Sequence, residues 1–380
     1  MNSKSRLFFI LLGLFSLPVF SHHGMGSFNA SVNFVLTGVV SDVALVNPHA
    51  YVYLDAILDD GEDIEPWRCE MRAGTVLRRS GWSEELFLEG DAITIEGIPD
   101  RTEPNSCYVA TVKFADGTST DRYTQLSARN TAMADDHAAL TAGGRPNIFG
   151  DWAAEQRVSV DSRGIGTAGM GGLALLSDVQ SGMAMGMGMG MGAGGPLGLR
   201  PTAAMRAAAV DYVEARDNPR KNCRPTNIFN DWTFDQHVNQ ITEEGDTIVM
   251  KYGMMDLMRT IHMNQAEHPG NVQSAWGHST GRWEGEVLVV DTVGFEPGLL
   301  NFRVPIMYSE QLHVVERFSY DHERRTLSRT WVAEDPLYLQ GTYIGQDEVQ
   351  VSDLPYEPYD CDDRAKIEND PSFLDRLSFE

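Results

Sequence analysis

The chain has 380 residues, of which 54 are acidic and 30 are basic, so that the formal net charge is −24. A net charge this negative produces an electrostatic field that argues against nucleic acid and anionic lipid surfaces as partners. It keeps a protein soluble and is compatible with cation binding. The length is enough for two domains of ordinary size.

The first 21 residues have the composition of a secretory signal peptide. Two basic residues precede an apolar run over residues 7–20, and Val19 and Ser21 occupy the −3 and −1 positions of a cleavage site. The apolar run is too short to span a membrane, and no stop-transfer segment follows it. We therefore expect a periplasmic or secreted protein, cleaved near Ser21, with no transmembrane segment after cleavage.

Residues 22–115 are predicted to form a small OB-like β domain. Three β-rich runs are followed by short helical turns and then by two more β-rich runs, which is the element order of an OB-type barrel. The predicted strands are 33–45, 51–58, 64–71, 92–98 and 107–114.

Residues 116–146 are small and polar and are predicted to be a linker. Residues 163–200 are of low complexity, and glycine throughout predicts a disordered Gly/Met-rich loop. Its tract places methionine at every second position: Met183, Met185, Met187, Met189 and Met191. The tract is either filler without function or a set of soft thioether ligands for Cu(I).

Residues 147–380 are predicted to form a second, β-rich domain around this loop. One helix is expected over 201–215. The WEGE and DHERR segments are typical of hairpin turns, and repeated hairpins favour an antiparallel β-meander, either a lipocalin-like barrel or a sandwich. The fold class is therefore mainly β.

Four cysteines in an oxidising compartment favour disulfide bonds. No pair forms a C-x-x-C motif, so a thiol redox or zinc-ribbon role is not indicated. The domain division predicts one bond in each domain, Cys69–Cys107 and Cys223–Cys361.

Two stretches resemble families of exported proteins without an established activity. The HHGMGSF start, the Asn47-Pro48-His49 turn and the strands around it resemble an uncharacterised proteobacterial family, over residues 22–115. The CRP at Cys223, the GHSTGRWEGEVLVVDT block and the HVVERF block resemble a second family, over residues 223–361. Both resemblances imply export and domain order, and neither implies a reaction.

Cleavage after Ser21 would make His22 the N-terminus, with His23 beside it. If His49 folds nearby, the α-amine and the imidazoles form a nitrogen-rich set that suits Cu(II). Such a set is similar to the histidine brace of copper monooxygenases and copper-resistance proteins. The alternative is a frayed N-terminus, with His49 capping a turn.

A second set of candidate metal ligands comprises His278, His313 and Glu316, with His262 and Glu284 nearby in the sequence. Residues 313 and 316 are three apart on a predicted strand, so they would face opposite sides. Ser279 with His313 and Asp291 could form a hydrolase triad, although the strand–turn–helix setting of a nucleophile elbow is missing. The alternative is a conformational role, with Trp283 in the core and an Arg–carboxylate pair beside it.

The sequence thus predicts an exported protein that binds or carries a metal ion, with copper as the expected cofactor. Two alternatives remain: a lipocalin-like protein that binds a small molecule, and a secreted enzyme, either a copper oxidase or a hydrolase. Binding is expected in preference to turnover. Protein partners are not indicated.

Overall fold

The computed structural model describes residues 28–57, 64–101, 103–127, 132–154, 200–301 and 305–362. The described chain is mainly β, with 46% strand and 10% helix, and its strands form two closed barrels. The predicted fold class is therefore confirmed.

The first barrel has five strands in the order β1-β2-β3-β5-β4, and β4 closes onto β1. Its strand pairs are antiparallel except β3–β5, and a short helix, α1, lies between β3 and β4, as in an OB-type barrel. A sixth strand extends the sheet beyond β5. The elements are β1 Phe34–Ala44, β2 Tyr51–Ile57, β3 Ile64–Glu70, α1 Gly74–Arg79, β4 Ala92–Pro99, β5 Ser106–Lys113 and β6 Ser119–Asp121.

Alternation of apolar and polar residues builds this barrel. In β1, Leu36 and Val40 are buried while Val35 and Thr37 are exposed, which is the period of two that a strand with one wet face requires. Cys69 and Cys107 lie opposite each other on β3 and β5 and form a disulfide bond with a Cα–Cα distance of 4.5 Å.

The second barrel has nine strands in the closed order β10-β11-β12-β13-β16-β17-β19-β7-β9. Two small two-stranded sheets, β14–β15 and β8–β18, lie outside this order. The strands are β7 Gly150–Ala153, β8 Arg200–Pro201, β9 Val238–Glu244, β10 Thr247–Lys251, β11 Met258–His262, β12 His278–Glu284, β13 Val287–Val293, β14 Gly298–Asn301, β15 Ile306–Tyr308, β16 His313–Asp321, β17 Thr326–Glu334, β18 Leu339–Gln340 and β19 Thr342–Val351.

One pairing departs from the predicted antiparallel meander. β11 and β12 are parallel, whereas the other strand pairs described in this barrel are antiparallel. Parallel neighbours cannot be joined by a tight turn, because the chain must return along the barrel before the second strand begins. Residues 263–277 make this return and form a crossover loop. The WEGE and DHERR hairpins are confirmed by the β12–β13 and β16–β17 pairs.

The interior of the second barrel contains an ion network as well as apolar side chains. Glu316 is fully buried and receives hydrogen bonds from Arg259 at 2.6 Å and from Arg329 at 3.2 Å. Arg329 also pairs with Asp347 and donates to the backbone carbonyl of Phe229 at 3.0 Å. Apolar residues surround the network, among them Trp232, Phe318 and Trp331.

The helix predicted over residues 201–215 is shorter in the structure. α3 spans only Ala203–Ala208, with Thr202 as its N-cap, and a separate turn of helix, α4, spans Glu214–Asp217. Met205 is the one buried side chain of α3, and Val210, just beyond the end of α3, is 75% exposed. Favourable propensity without an apolar face does not sustain a long helix. Another short helix, α2 Ala132–Asp136, lies in the stretch predicted as a linker.

The two barrels contact each other through residues 72–79, which include α1, and through the segments before β9 and after β19. Arg72 pairs with Asp235 at 2.6 Å, Arg79 pairs with Asp353 at 3.0 Å, and the Thr75 hydroxyl lies 3.0 Å from Nδ1 of His237. Two arginines of the first barrel, Arg72 and Arg79, are therefore paired with carboxylates of the second barrel.

The second predicted disulfide bond, Cys223–Cys361, is also formed, with a Cα–Cα distance of 5.9 Å. Two disulfide bonds fit an exported or extracellular protein. Within the described residues, no helix is long and apolar enough to cross a bilayer. The predicted signal peptide lies outside the described residues.

Candidate metal centre on the outer face of the second barrel

Four neighbouring strands place imidazole and carboxylate groups on one outer face of the second barrel. His262 ends β11, His278 begins β12, Asp291 lies near the end of β13 and His313 begins β16. The register pairs Thr280 with both His262 and Asp291, so side chains at these positions share one side of the sheet.

The crossover loop adds a fifth side chain. His268 folds over the sheet so that its Nδ1 lies 2.9 Å from Nδ1 of His278, and its Nε2 lies 3.0 Å from Oδ1 of Asp291. His313 approaches the same carboxylate, with its Nε2 at 3.1 Å from Oδ1. We call His262, His268, His278, Asp291 and His313 the histidine–aspartate cluster.

The hydrogen-bond partners indicate which ring nitrogens of this cluster carry protons. An ionised carboxylate only accepts, so His268 and His313 each donate an Nε2–H to Asp291. When the His268 ring carries its proton on Nε2 alone, its Nδ1 atom has a lone pair that can accept an Nδ1–H from His278. A hydrogen bond between these two ring nitrogens contains one proton, and the cluster is half-buried at His268 and Asp291.

The surroundings of His278 favour the neutral form of its imidazole. Burial lowers the pKa of its imidazole, and the neighbouring rings of His262 and His268 lower it further. The His262 ring is stacked on the His278 ring, with centroids 4.8 Å apart and planes within 10°. A neutral imidazole is the form that binds a metal ion.

A metal ion bound by both Nδ1 atoms would replace the proton of their hydrogen bond. Two nitrogens about 2.9 Å apart and each about 2.0–2.1 Å from one ion subtend roughly 90° at that ion. A ligating histidine commonly donates its other ring N–H to a carboxylate, as His268 does to Asp291. Within the described residues, no three His, Cys, Asp or Glu side chains are grouped to hold one metal ion. The pair therefore offers two protein ligands and leaves the other positions open.

The structure separates the residues that the sequence grouped in this region. His278 and His313 come together through Asp291, but Glu316 is inside the barrel and His313 is outside it. Glu316 is thus not a ligand partner of these histidines, because strand alternation turns it to the opposite side. Ser279 is also buried inside, where its Oγ contacts Arg259 and Thr292, so it forms no triad with His313 and Asp291.

The conformational role predicted for the block after Ser279 fits the structure. Trp283 is partly buried against the core of the second barrel. Arg282 pairs with Glu284 at 2.6 Å, and Glu284 also pairs with Arg317 on β16.

The N-terminal candidates are only partly described. His49 lies in the first barrel, where its Nδ1 pairs with Glu70 at 2.8 Å. Burial alone would lower the pKa of His49, but the charge and hydrogen bond of Glu70 outweigh it, and the pKa is raised. His22, His23 and the five tract methionines, Met183, Met185, Met187, Met189 and Met191, lie outside the described residues.

Sequence reasoning missed His268. It lies in a polar segment, residues 263–277, with neither a metal-binding spacing nor a strand pattern. Its role depends on the parallel pairing of β11 with β12, which carries the segment back across the outer face. The sequence contained only a weak indication of this site, because His262 ends one strand and His278 begins the next.

Comparison with known proteins bears on the first barrel. Residues 11–107 match the model of a family of unknown function (DUF6152). This match is consistent with the first of the two resemblances, and it assigns no activity. A search of curated proteins finds no match for the chain. The resemblance of residues 223–361 to a second family stays a prediction.

Proposed function

We propose that the protein binds a divalent transition-metal ion, with Cu(II) as the first candidate, at the histidine–aspartate cluster. The Nδ1 atoms of His268 and His278 are the two protein ligands. The observation that supports this is the 2.9 Å separation of two imidazole nitrogens, one of which is oriented by a carboxylate.

The donor set favours Cu(II) over harder ions. Imidazole nitrogen suits copper, zinc and nickel, and among divalent first-row ions copper binds such sites most strongly. Calcium and magnesium prefer oxygen ligands. The net charge of −24 raises the local concentration of any cation near the surface.

Binding or carriage fits this site better than turnover. With two protein ligands and a half-exposed His313 at its edge, the ion would stay accessible to water and to exchange. Release to an acceptor with more ligands is then easy. The lipocalin-like alternative has less support, because the ion network and aromatic side chains occupy the barrel interior.

Cu(II) titration under a competing chelator tests the proposal. His268→Asn and His278→Asn should each weaken Cu(II) binding by at least about tenfold, since each removes one of two ligands. Glu267→Gln changes a neighbouring exposed loop residue that is not in the cluster, and it should bind like the parent. Equal affinity in all four proteins would overturn the proposal.

A second copper site at the N-terminus remains a separate proposal. His22 and His23 would supply the α-amine and the rings, and His49, whose Nδ1 pairs with Glu70, would supply its other ring nitrogen. Extension of the processed chain by one Met should weaken this site alone, because it displaces the terminal amine. The Met183–Met191 tract is proposed only for Cu(I), since thioethers are soft ligands.

A further inference from the structure

A second group of metal-type donors lies at the end of the second barrel where β16 turns into β17. Tyr320 is at the end of β16 and His322 is in the turn that follows. His137 follows α2 and packs edge-on against Trp152, with ring centroids 5.1 Å apart. None of these residues belongs to the histidine–aspartate cluster.

The hydrogen bonds fix the orientation of His137. Its Nε2 lies 2.9 Å from the carbonyl oxygen of Phe149, which can only accept, so Nε2 carries the proton. The Nδ1 atom of the neutral ring therefore has a free lone pair. That lone pair is directed at the hydroxyl of Tyr320, 3.4 Å away.

The phenol oxygen is shared between two imidazoles. It lies 3.4 Å from Nδ1 of His137 and 3.4 Å from Nδ1 of His322. Hydrogen bonds between nitrogen and oxygen typically measure about 2.7–3.2 Å, so both contacts are long for hydrogen bonds. Ligands about 2.0–2.1 Å from one ion are about 2.9 Å apart at 90° and about 3.3–3.4 Å apart at a tetrahedral angle, so the contacts found here lie at the wide end of ligand spacing.

The surroundings hold two of the three groups in place. His137 and Tyr320 pack on each other at 5.2 Å, and Tyr320 packs edge-on against the fully buried Trp152 at 5.4 Å. The nearby cation, Arg325, is paired with Asp135 at 2.6 Å, which offsets its charge. His322 is exposed and leaves the open side of the group to solvent.

We propose that His137, Tyr320 and His322 form a metal site distinct from the histidine–aspartate cluster. Its donor set is two imidazole nitrogens and one phenol oxygen. The ligand is an oxidised transition-metal ion that accepts both donor types, and Cu(II) serves as the probe. On binding, the phenol loses its proton to solvent and becomes a phenolate, so that the O–H bond breaks as the O–metal bond forms.

The phenolate gives this site a signature that imidazole ligands lack. Cu(II) is titrated into the full chain carrying His268→Asn and His278→Asn, which removes the first site. A visible phenolate-to-copper charge-transfer band should grow to one equivalent. Tyr320→Phe, which keeps the ring packing, should abolish the band, while Tyr338→Phe, a partly buried tyrosine elsewhere on the same core, should retain it.

Affinity provides a second readout. In the same background, His322→Asn should weaken the binding that the band reports by at least about tenfold, and its exposed position makes misfolding no concern. Thermal unfolding followed by circular dichroism checks that the Tyr320→Phe protein is folded. No band in the parent background, or an undiminished band in folded Tyr320→Phe protein, would overturn this site. Neither result affects the proposal for His268 and His278.

Discussion

His268 and His278 meet through their Nδ1 atoms at 2.9 Å, although ten positions separate them in the chain. The contact exists because residues 263–277 run back along the barrel before β12 begins. A hairpin between β11 and β12 would have been shorter and would not have carried His268 over Asp291. The parallel pairing of these two strands thus creates the candidate metal centre.

Asp291 should set the affinity of this centre without ligating the ion. Asp291→Asn keeps the size of the side chain but replaces one acceptor oxygen with an NH₂ group, so His268 and His313 no longer share a carboxylate. We expect Cu(II) binding to weaken by about 10–100-fold. Competition titration measures this, with Asp42→Asn, an exposed residue of β1 in the first barrel, as the control. Unchanged affinity in Asp291→Asn would show that the carboxylate does not support the ligand pair.

Glu316 should be essential to the stability of the second barrel. Glu316→Gln removes the negative charge between Arg259 and Arg329, and it leaves their guanidinium groups buried with less compensation. We expect a loss of about 3–5 kcal/mol in the free energy of unfolding. Glu334→Gln, on the exposed end of β17, should change it by less than about 0.5 kcal/mol. Urea unfolding compares the two, and a similar small effect in both would contradict a structural role for the network.

The two disulfide bonds should differ in their contributions to stability. They close sequence separations of 38 and 138 residues. Loop-closure entropy predicts about 4 kcal/mol for Cys69–Cys107 and about 5 kcal/mol for Cys223–Cys361. Cys361 also forms a β-bridge with Asn47 of the first barrel, so its loss should loosen the contact between the barrels. Paired Cys→Ala variants compared by urea unfolding measure both effects, and a larger loss for the shorter loop would contradict this order.

Mild acid should destabilise the contact between the barrels through His237. Burial, together with the charges of Arg72, Arg220 and Arg79, lowers its pKa to about 3. The folded pKa lies below the ordinary value of about 6.5, so this contribution to stability is full above pH 6.5 and declines as pH falls toward 3. Between pH 6.5 and 5 the loss is at most about 2 kcal/mol.

Unfolding free energies at pH 6.5 and 5, measured with a chelator present, check this expectation. His237→Gln should flatten the dependence in that window, whereas His322→Gln, at an exposed position, should leave it as in the parent. His49 has the opposite effect, above pH 6.5. Because its pKa is raised in the folded protein, its contribution to the free energy of unfolding is complete below pH 6.5 and is lost as the pH rises. A slope that survives in His237→Gln would assign the acid sensitivity to other groups.

Local patterns were sufficient to predict much of the fold. The five strands of the first barrel agree with their predicted bounds to within about one residue, because alternation of buried and exposed side chains is a property of each segment alone. The element order then indicated an OB-type barrel. The two disulfide pairs followed from assigning each bond to one domain, and both are formed.

Only the tertiary structure decided how the candidate site is assembled. The sequence grouped His278, His313 and Glu316 as candidate ligands, but the closed barrel turns Glu316 inward to Arg259 and leaves His313 outside. His268 became part of the site through a strand pairing that no local pattern encodes. The length of α3 was likewise set by the burial of Met205 and the exposure of the residues that follow it. Periodicity determines which residues form strands and which faces are apolar, whereas the distances between side chains depend on strand order, register and the path of the crossover loop.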